Sequence, residues 1–309
     1  NPYFCNTFRA FVDNRKYGSS EKGYRIWREY QMSFGIGKKI GVDMPHELKG
    51  LIPSVDYYNK VYGANRWKAS TIYSLGIGQG ELGINPMQMA NILCIIANKG
   101  YFYTPHVIKS IGGKPNTSRN LAEKHYTKVS AENFDIIQDG MQRVVEAGTA
   151  RIAKFDTITI CGKTGTAQNP HGKDHSLFVA FAPRENPQIA IAVMVENAGF
   201  GATWAAPIAS LMMEKYLRDS ISRPTLEEKM FNGYLLPLLN KGPENGVMKL
   251  DSTKVKTAAA GSKQRRLHTA AAYGVVKRLH TAAYGLKQYL LDSDIWLRRE
   301  QLNSLATRT

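Results

Sequence analysis

The sequence has few cysteines, no long apolar run and a shortage of acidic residues. Its 309 residues include three cysteines, whose spacing matches neither a disulfide framework nor a metal site. Cys94 and Cys161 lie in apolar runs and are expected to be small core residues. No run of about 18 apolar residues occurs, so the sequence predicts no membrane-spanning helix.

Signals for nucleotides, metals and nucleic acids are also missing. The glycines in residues 76–80 lack the spacing of a dinucleotide-binding loop, so no cofactor is expected. His171, Asp174 and His175 are close in sequence, but a polar loop is favoured over a metal site, and no metal is expected. The net charge of +16 suits anionic partners. No recognition motif accompanies it, so no nucleic-acid partner is expected.

Three apolar, β-branched runs predict neighbouring strands at about 157–166, 176–182 and 188–196. The sequence Lys163-Thr164-Gly165-Thr166 closes the first strand. Its lysine supplies fixed positive charge, its threonines supply hydroxyl donors, and its glycine lets a substrate backbone lie against the strand. A Lys-Thr-Gly of this kind is one signature of penicillin-recognising serine enzymes. The alternative is an ordinary strand end with a solvated lysine.

Other segments flank this tetrapeptide in a recognisable order: residues 76–81, 85–90, 148–150 and 181–183. Together they resemble the transpeptidase domain of class B penicillin-binding proteins, most closely the elongation type, penicillin-binding protein 2. The resemblance ends before the last part of the chain. Residues 1–240 are therefore interpreted as the C-terminal portion of a transpeptidase domain, and residues 241–309 as a separate extension.

The resemblance implies an α+β fold with three α/β/α layers, in which helices flank an antiparallel sheet. The run at 188–196 is apolar on both faces, so it needs cover on both sides and is expected to be a central strand. Further strands of the family's sheet would come from outside this chain or from near its start. The sheet is therefore expected to be incomplete at the N-terminal side and to leave an open edge.

Apolar periodicity predicts helices from the start to about Gly18, around residues 27–34, and at 86–100, 130–148 and 205–219. Asn85 is expected to cap the third of these, with Gln88 completing a capping box. Ser130 is expected to cap the fourth. Residues 41–67 carry prolines and scattered polar residues, which predicts an irregular connection. The expected inward residues of the last three helices are Met89, Ile92, Leu93 and Ile96; Phe134, Ile137, Met141, Val144 and Val145; and Ile208, Leu211 and Met212.

The resemblance assigns catalytic roles to Asn1, Lys163 and Thr166. Lys163, with the hydroxyls of Thr164 and Thr166, would hold the terminal carboxylate of the substrate, which β-lactams imitate. The backbone N–H of Thr166 would be one of two oxyanion donors, and Gly165 would keep the strand open to the ligand. Asn1 would be the asparagine of Ser-x-Asn, which orients the substrate amide; the alternative is that Asn1 is only a chain terminus.

The nucleophile of this family belongs to a Ser-x-x-Lys motif upstream of Ser-x-Asn. The chain is therefore expected to be an N-terminally truncated enzyme that is inactive by itself. One Ser-x-x-Lys string occurs, from Ser19 to Lys22, but it follows Gly18, is polar throughout and lies after the Ser-x-Asn position. It is interpreted as a solvated turn.

The implied function is that of a peptidoglycan D,D-transpeptidase that acts through a serine acyl-enzyme. The implied partners are peptidoglycan stem peptides, β-lactams, a membrane glycan polymerase and elongation-complex proteins. The catalytic domain would lie on the periplasmic side of the inner membrane, held by an anchor outside this chain. Two alternatives stay open: a D,D-carboxypeptidase or β-lactamase of the same fold, and a non-catalytic remnant that keeps only a binding scaffold.

Residues 241–309 differ in composition from the rest of the chain. They contain thirteen Lys/Arg against five Asp/Glu, and residues 266–274 recur in slipped form at 278–285. A poorly ordered extension is the favoured interpretation. The alternative is a basic segment that contacts an anionic membrane, cell-wall polymer or nucleic acid.

We expect this extension to be dispensable for folding, because its repeats carry no sustained apolar face. Ending the chain after about residue 245 should leave one cooperative thermal unfolding transition at an unchanged midpoint. Calorimetry of the full and shortened chains measures this. A large fall in the melting temperature would show that the extension packs on the domain.

Overall fold

The computed structural model describes residues 1–116 and 121–235, so the extension at 241–309 and the boundary proposed for it lie outside the described residues. The described helices are α1 Pro2–Val12, α2 Ser20–Ser33, α3 Val55–Tyr62, α4 Pro86–Ala97, α5 Glu132–Glu146, α6 Ala205–Arg218 and α7 Pro224–Phe231. The described strands are β1 Tyr101–Phe102, β2 Ser110–Ile111, β3 Lys114–Pro115, β4 His125–Tyr126, β5 Cys161–Ala167, β6 His175–Ala182 and β7 Ile189–Val195.

An antiparallel sheet with the order β5-β6-β7 forms the middle layer. In its register, Lys163 lies opposite Val179 and Thr166 lies opposite Ser176. The three strands lie where apolar runs predict them, although β5 begins at Cys161 and not near residue 157. Among the described strands, β5 and β7 each pair with β6 alone, so both have an edge that faces no described strand.

Helices cover both faces of this sheet, as the apolar pattern of β7 predicts. The expected central position of this strand is not seen, because β6 lies in the middle of the described strands and β7 at their edge. One face packs with α6 and the end of α5, and its buried residues include Val145, Phe178, Ala180, Ile189, Ile191, Ala209 and Met213. The other face packs with α4, and its buried residues include Leu93, Cys94, Cys161, Phe181 and Ala190. The α+β fold with three layers is therefore confirmed.

A second core lies among α1, α2 and α3. It is built around the buried rings of Tyr24, Tyr58 and Trp67, which contact one another edge-on or tilted. The Tyr24 hydroxyl donates to Pro53 O at 2.8 Å, and the Tyr58 hydroxyl donates to the Glu81 carboxylate at 3.2 Å. Burial raises the pKa of both phenols well above the usual range, so both keep their protons as donors.

Two helix predictions near the start of the chain were wrong in detail. α1 ends at Val12 and not near Gly18, because the Asn14 side chain accepts from Lys16 N at 3.0 Å and begins a separate short turn. The connection at 41–67 is not wholly irregular, because it contains α3, whose first turn is capped by Ser54. A helix of eight residues is too short for the apolar pattern of the sequence to reveal it. The short α7 was missed for the same reason.

α4 has the predicted capping box, but its buried face is different from the predicted one. The Asn85 side chain accepts from Gln88 N at 2.9 Å, and the Gln88 side chain accepts from Asn85 N at 3.3 Å. Gln88 and Asn91 are buried with Leu93, whereas Met89, Ile92 and Ile96 are only half-buried. The reason lies in Gln88, whose amide nitrogen donates to three backbone carbonyls of the preceding loop, those of Gly35, Lys38 and Lys49.

The predictions for α5 and α6 need similar corrections. Ser130 does not cap α5 with its side chain, and Ile137 is 49% exposed while Gln138 is buried. The Gln138 amide donates to Ile96 O at 2.8 Å, so a tertiary hydrogen bond draws a polar residue inward. In α6, Ile208 and Met212 are half-buried, because the small residues of the helix let it lie closer to the sheet on another face: Ala205, Ala206 and Ala209.

The α6–α7 connection is held by a buried ion pair. The fully buried carboxylate of Glu214 accepts from Ser222 N and from Arg223 Nε, both at 2.9 Å. Burial acts to raise the pKa of this carboxyl, but the hydrogen bonds from Ser222 and Arg223 outweigh burial and hold the pKa below its usual value. Arg223 also donates to Ser210 Oγ at 3.2 Å.

Replacing Gln88 with methionine should lower the free energy of unfolding by about 2–3 kcal/mol, because it leaves buried carbonyls without a donor while nearly conserving volume. Chemical denaturation measures this. The matched control is Gln168→Met, at an exposed position, which should change stability by less than about 0.5 kcal/mol. Equal effects of the two substitutions would contradict the role given to Gln88.

Replacing Glu214 with glutamine should destabilise the fold at neutral pH by about 2–3 kcal/mol, because it leaves Arg223 without its counter-charge. The folded pKa of Glu214 is lowered, so the carboxylate's stabilisation is present above the ordinary pKa of 4.5 and is lost as the pH falls through the folded pKa. The difference between parent and variant should therefore shrink in acid. The exposed Glu196→Gln is the control, and a difference that stays constant down to strongly acidic pH would contradict the assignment.

Candidate active site

The tetrapeptide of residues 163–166 lies in β5, where its side chains alternate between the two faces of the sheet. One edge of β5 pairs with no described strand. Side chains alternate along a strand, so Lys163 and Gly165 lie on the face of α4, whereas Thr164 and Thr166 lie on the face of α6. Lys163 is exposed, and its ammonium donates to Thr164 O at 2.7 Å. A single ligand can contact the lysine and both threonine hydroxyls only along the open edge of the strand.

The segment at 148–150 meets this edge. Gly148 follows α5 in a position where a Cβ would lie 2.8 Å from backbone atoms of Val144, so only glycine fits without a backbone shift. The chain then turns so that the hydroxyls of Thr149 and Thr164 are 2.8 Å apart. The structure therefore brings two of the sequence motifs into direct contact.

Gln79 is a residue of the site that sequence reasoning missed. A short turn at Tyr73–Ile77 ends at Gly78, which has φ of 74°, and the next residue, Gln79, donates from Nε2 to Thr166 O at 3.4 Å. The N–H and C=O groups of one strand residue point to the same side, so this contact directs the Thr166 N–H to the open edge as well. The one feature of the sequence that could have indicated this role is the place of Gln79 between two glycines, in a segment that carries the resemblance.

Gly201 is a second residue that the sequence did not reveal. A Cβ at this position would lie 2.1 Å from Leu177 O and 2.7 Å from Gly165 O, so residue 201 passes directly over the β5–β6 pair. Ser176 fixes this passage, because its hydroxyl donates to Phe200 O at 2.9 Å and accepts from Ala205 N at 3.2 Å. The start of α6 is thereby anchored beside the threonine face of β5.

Asn1 lies at the N-cap position of α1, and no side-chain cap hydrogen bond forms there. It borders a cavity of about 530 Å³ together with Cys5, Tyr73 and Ile77. Within the described hydrogen bonds Asn1 makes none to β5. The turn at Tyr73–Ile77 connects the two regions, because it contacts α1 on one side and leads to Gln79 on the other.

The remaining polar clusters serve local structure. Ser19 is not part of a solvated turn, because its hydroxyl accepts from Lys22 N at 3.2 Å and caps α2. In the β5–β6 connection, Asp174 accepts from Asn169 N at 3.2 Å, while His175 Nδ1 accepts from Asn197 N at 3.1 Å. In the part of the chain that the structure describes, no group of three His, Cys, Asp or Glu side chains could hold a metal ion.

Cys161, two residues before Lys163, is the nucleophilic side chain nearest to the tetrapeptide in sequence. It is fully buried, and its thiol lies 3.4 Å from Gln138 O. Burial raises the pKa of this thiol to about 12, and burial likewise raises the pKa of Cys94 to about 12. Because the thiolate is the reactive form, both cysteines are inert core residues, as their apolar surroundings predict.

Comparison with known proteins decides the family. Residues 5–214 match the sequence model of the penicillin binding protein transpeptidase domain. The chain belongs to this family. It is 35% identical over 237 residues to the peptidoglycan D,D-transpeptidase MrdA of Acinetobacter baumannii, an alignment that covers 71% of this chain and 34% of the relative. The chain thus spans about a third of the length of this curated relative.

Two solved structures show the same transpeptidase fold. Pseudomonas aeruginosa PBP2, in complex with WCK 5153, is 36% identical with a TM-score of 0.60, over 71% of this chain and 47% of that chain. Helicobacter pylori PBP2, in a complex with MreC, is 26% identical with a TM-score of 0.52, over 69% of this chain and 39% of that chain. In its described residues the chain has no helix that is long and apolar enough to cross a membrane.

Proposed function

We propose that this chain is the ligand-binding part of a peptidoglycan D,D-transpeptidase of the penicillin-binding protein 2 type. The observation that carries the proposal is the open edge of β5. There the Lys163 ammonium, the Thr164 hydroxyl and the Thr166 N–H can reach one extended ligand, next to the contacts from Thr149 and Gln79. The family membership and the similarity to MrdA support this assignment.

The proposed reaction is acyl transfer in two steps. A serine hydroxyl gives up its proton to a base as its oxygen forms a bond to the carbonyl carbon of the penultimate D-alanine of a stem peptide. The bond to the nitrogen of the terminal D-alanine then breaks as that nitrogen takes up the proton. The amine of a second stem peptide then attacks the ester, gives up a proton and displaces the serine. Each tetrahedral intermediate carries an oxyanion that needs preset N–H donors.

Within this reaction, we assign binding roles to the tetrapeptide. Lys163 and the hydroxyls of Thr164 and Thr166 hold the substrate's terminal carboxylate through charge-assisted hydrogen bonds. The Thr166 N–H is one oxyanion donor, and Gly165 leaves room for the ligand backbone. Asn1, in the position of the Ser-x-Asn asparagine, orients the substrate amide.

We infer that residues 1–309 do not supply the nucleophile of this reaction. Their one Ser-x-x-Lys string begins at Ser19, whose hydroxyl caps α2. We therefore propose that the polypeptide of residues 1–309 forms no stable adduct with a fluorescent penicillin. Labelling of this polypeptide at Ser19 would contradict both this statement and the assignment of Ser19 as a cap.

Two other functions of the same fold can be distinguished from transpeptidation by the fate of the acyl-enzyme. A carboxypeptidase or β-lactamase hydrolyses it, whereas a transpeptidase holds a penicillin adduct for hours. The names of the curated relatives favour the transpeptidase. A non-catalytic remnant would bind without acylation. Sequencing the gene upstream of this chain tests that alternative, because an in-frame Ser-x-x-Lys found there would contradict it.

The proposed partners and location follow the relatives. We propose that β-lactams and stem peptides bind at β5, and that the whole protein works with a membrane glycan polymerase and elongation-complex proteins on the periplasmic side of the inner membrane. The Helicobacter pylori relative in a complex with MreC supports an assembly of this kind.

Replacing Lys163 with alanine in the whole gene product should slow acylation by an anionic penicillin at least tenfold, because one charge-assisted contact contributes about 1.5–3 kcal/mol. Lys163→Arg should lose less, since the charge remains. Stopped-flow labelling measures the rates. The control is Lys173→Ala, at an exposed lysine of the β5–β6 connection, and an alanine variant at 163 that acylates as fast as this control would remove the proposed role.

A further inference from the structure

A cavity of about 440 Å³ lies beside the candidate active site, between the turn after α5, residues 202–203, the start of α6, and α7. It is separate from the cavity near Asn1, and none of the roles described above uses it. Its polar wall contains Thr149, Arg151, Thr203 and Lys229, and its apolar wall includes Leu226 and Met230.

The charged residues that line this cavity are all positive. Two of its lining residues, Arg151 and Lys229, carry a positive charge, and none of them is acidic. Neither cation takes part in an ion pair of the described residues, whereas the neighbouring Arg223 is held by Glu214. Two cations without counter-charges around one cavity favour an anionic occupant.

The cavity is continuous with the ligand edge of β5 through one residue. Thr149 lines the cavity, and its hydroxyl is 2.8 Å from that of Thr164. A ligand on the edge of β5 can therefore extend past Thr149 toward Arg151. The α7 wall, which supplies Leu226, Lys229 and Met230, lies beyond the part of the chain that matches the transpeptidase family, residues 5–214.

We propose that this cavity is a subsite for a carboxylate carried on a short aliphatic stem. Arg151 and Lys229 balance its charge, the hydroxyl of Thr203 donates to its oxygens, and Leu226 and Met230 pack on its methylene groups. The relevance of the subsite to peptidoglycan rests on the proposed function. There the carboxylate belongs either to a side chain of a stem peptide or to the released D-alanine.

Calorimetric titration of the full chain tests the subsite without any acylation. Glutarate, which has two carboxylates on three methylene carbons, should bind with saturation in the millimolar range, whereas its neutral diamide should not bind detectably. D-Alanine is the third probe. Binding of glutarate alone assigns the subsite to a side-chain carboxylate, and binding of D-alanine with equal or higher affinity assigns it to the released product.

The double variant Arg151→Ala with Lys229→Ala should weaken the binding of the effective probe at least tenfold. The matched control removes two charges elsewhere, at the exposed Lys38 and Lys39, and should change the affinity less than twofold. Equal losses in the two double variants, binding of the diamide, or no binding of either acid would overturn the proposal. Those outcomes do not bear on acylation by the whole gene product, which tests the proposed function independently.

Discussion

The pairing of β6 with a neighbour on each side is the constraint on which the rest of the structure depends. β6 is buried on both faces, by α6 and the end of α5 on one side and by α4 on the other. Because β6 takes one edge of β5, the other edge faces no described strand. The tetrapeptide from Lys163 to Thr166 can thus face a ligand while the strand that carries it remains fixed in the sheet.

Three glutamine amides, of which those of Gln88 and Gln138 are buried, connect the helical half of the molecule to the sheet. Gln88 joins α4 to the loop before it, and Gln138 joins α5 to the end of α4. Gln79 then carries the connection to the ligand edge, where it reaches Thr166 O. Since each amide has donors and an acceptor that backbone groups can satisfy, these contacts position elements without placing charge in the core.

The sequence predicts well those features that depend on local chemistry. Residue type and spacing alone predict the capping box at Asn85 and Gln88, the three strands of the main sheet, and Cys94 and Cys161 as core residues. The contact between Thr149 and Thr164 was not predicted, although both residues belong to segments that carry the family resemblance. The inward positions of Gln88 and Gln138 could not be predicted, because their partners are carbonyls of distant segments. The role of Gly201 could not be predicted, because its close approach to Leu177 exists only in the folded chain.

The central claim is that the ligand lies along the open edge of β5. A crystal structure of the whole gene product after reaction with a penicillin tests it most directly. The account predicts that the acyl carbonyl oxygen lies about 3 Å from Thr166 N and that the penicillin carboxylate contacts the Thr164 hydroxyl. An adduct whose carbonyl oxygen points away from β5, with its carboxylate bound elsewhere, would contradict the account.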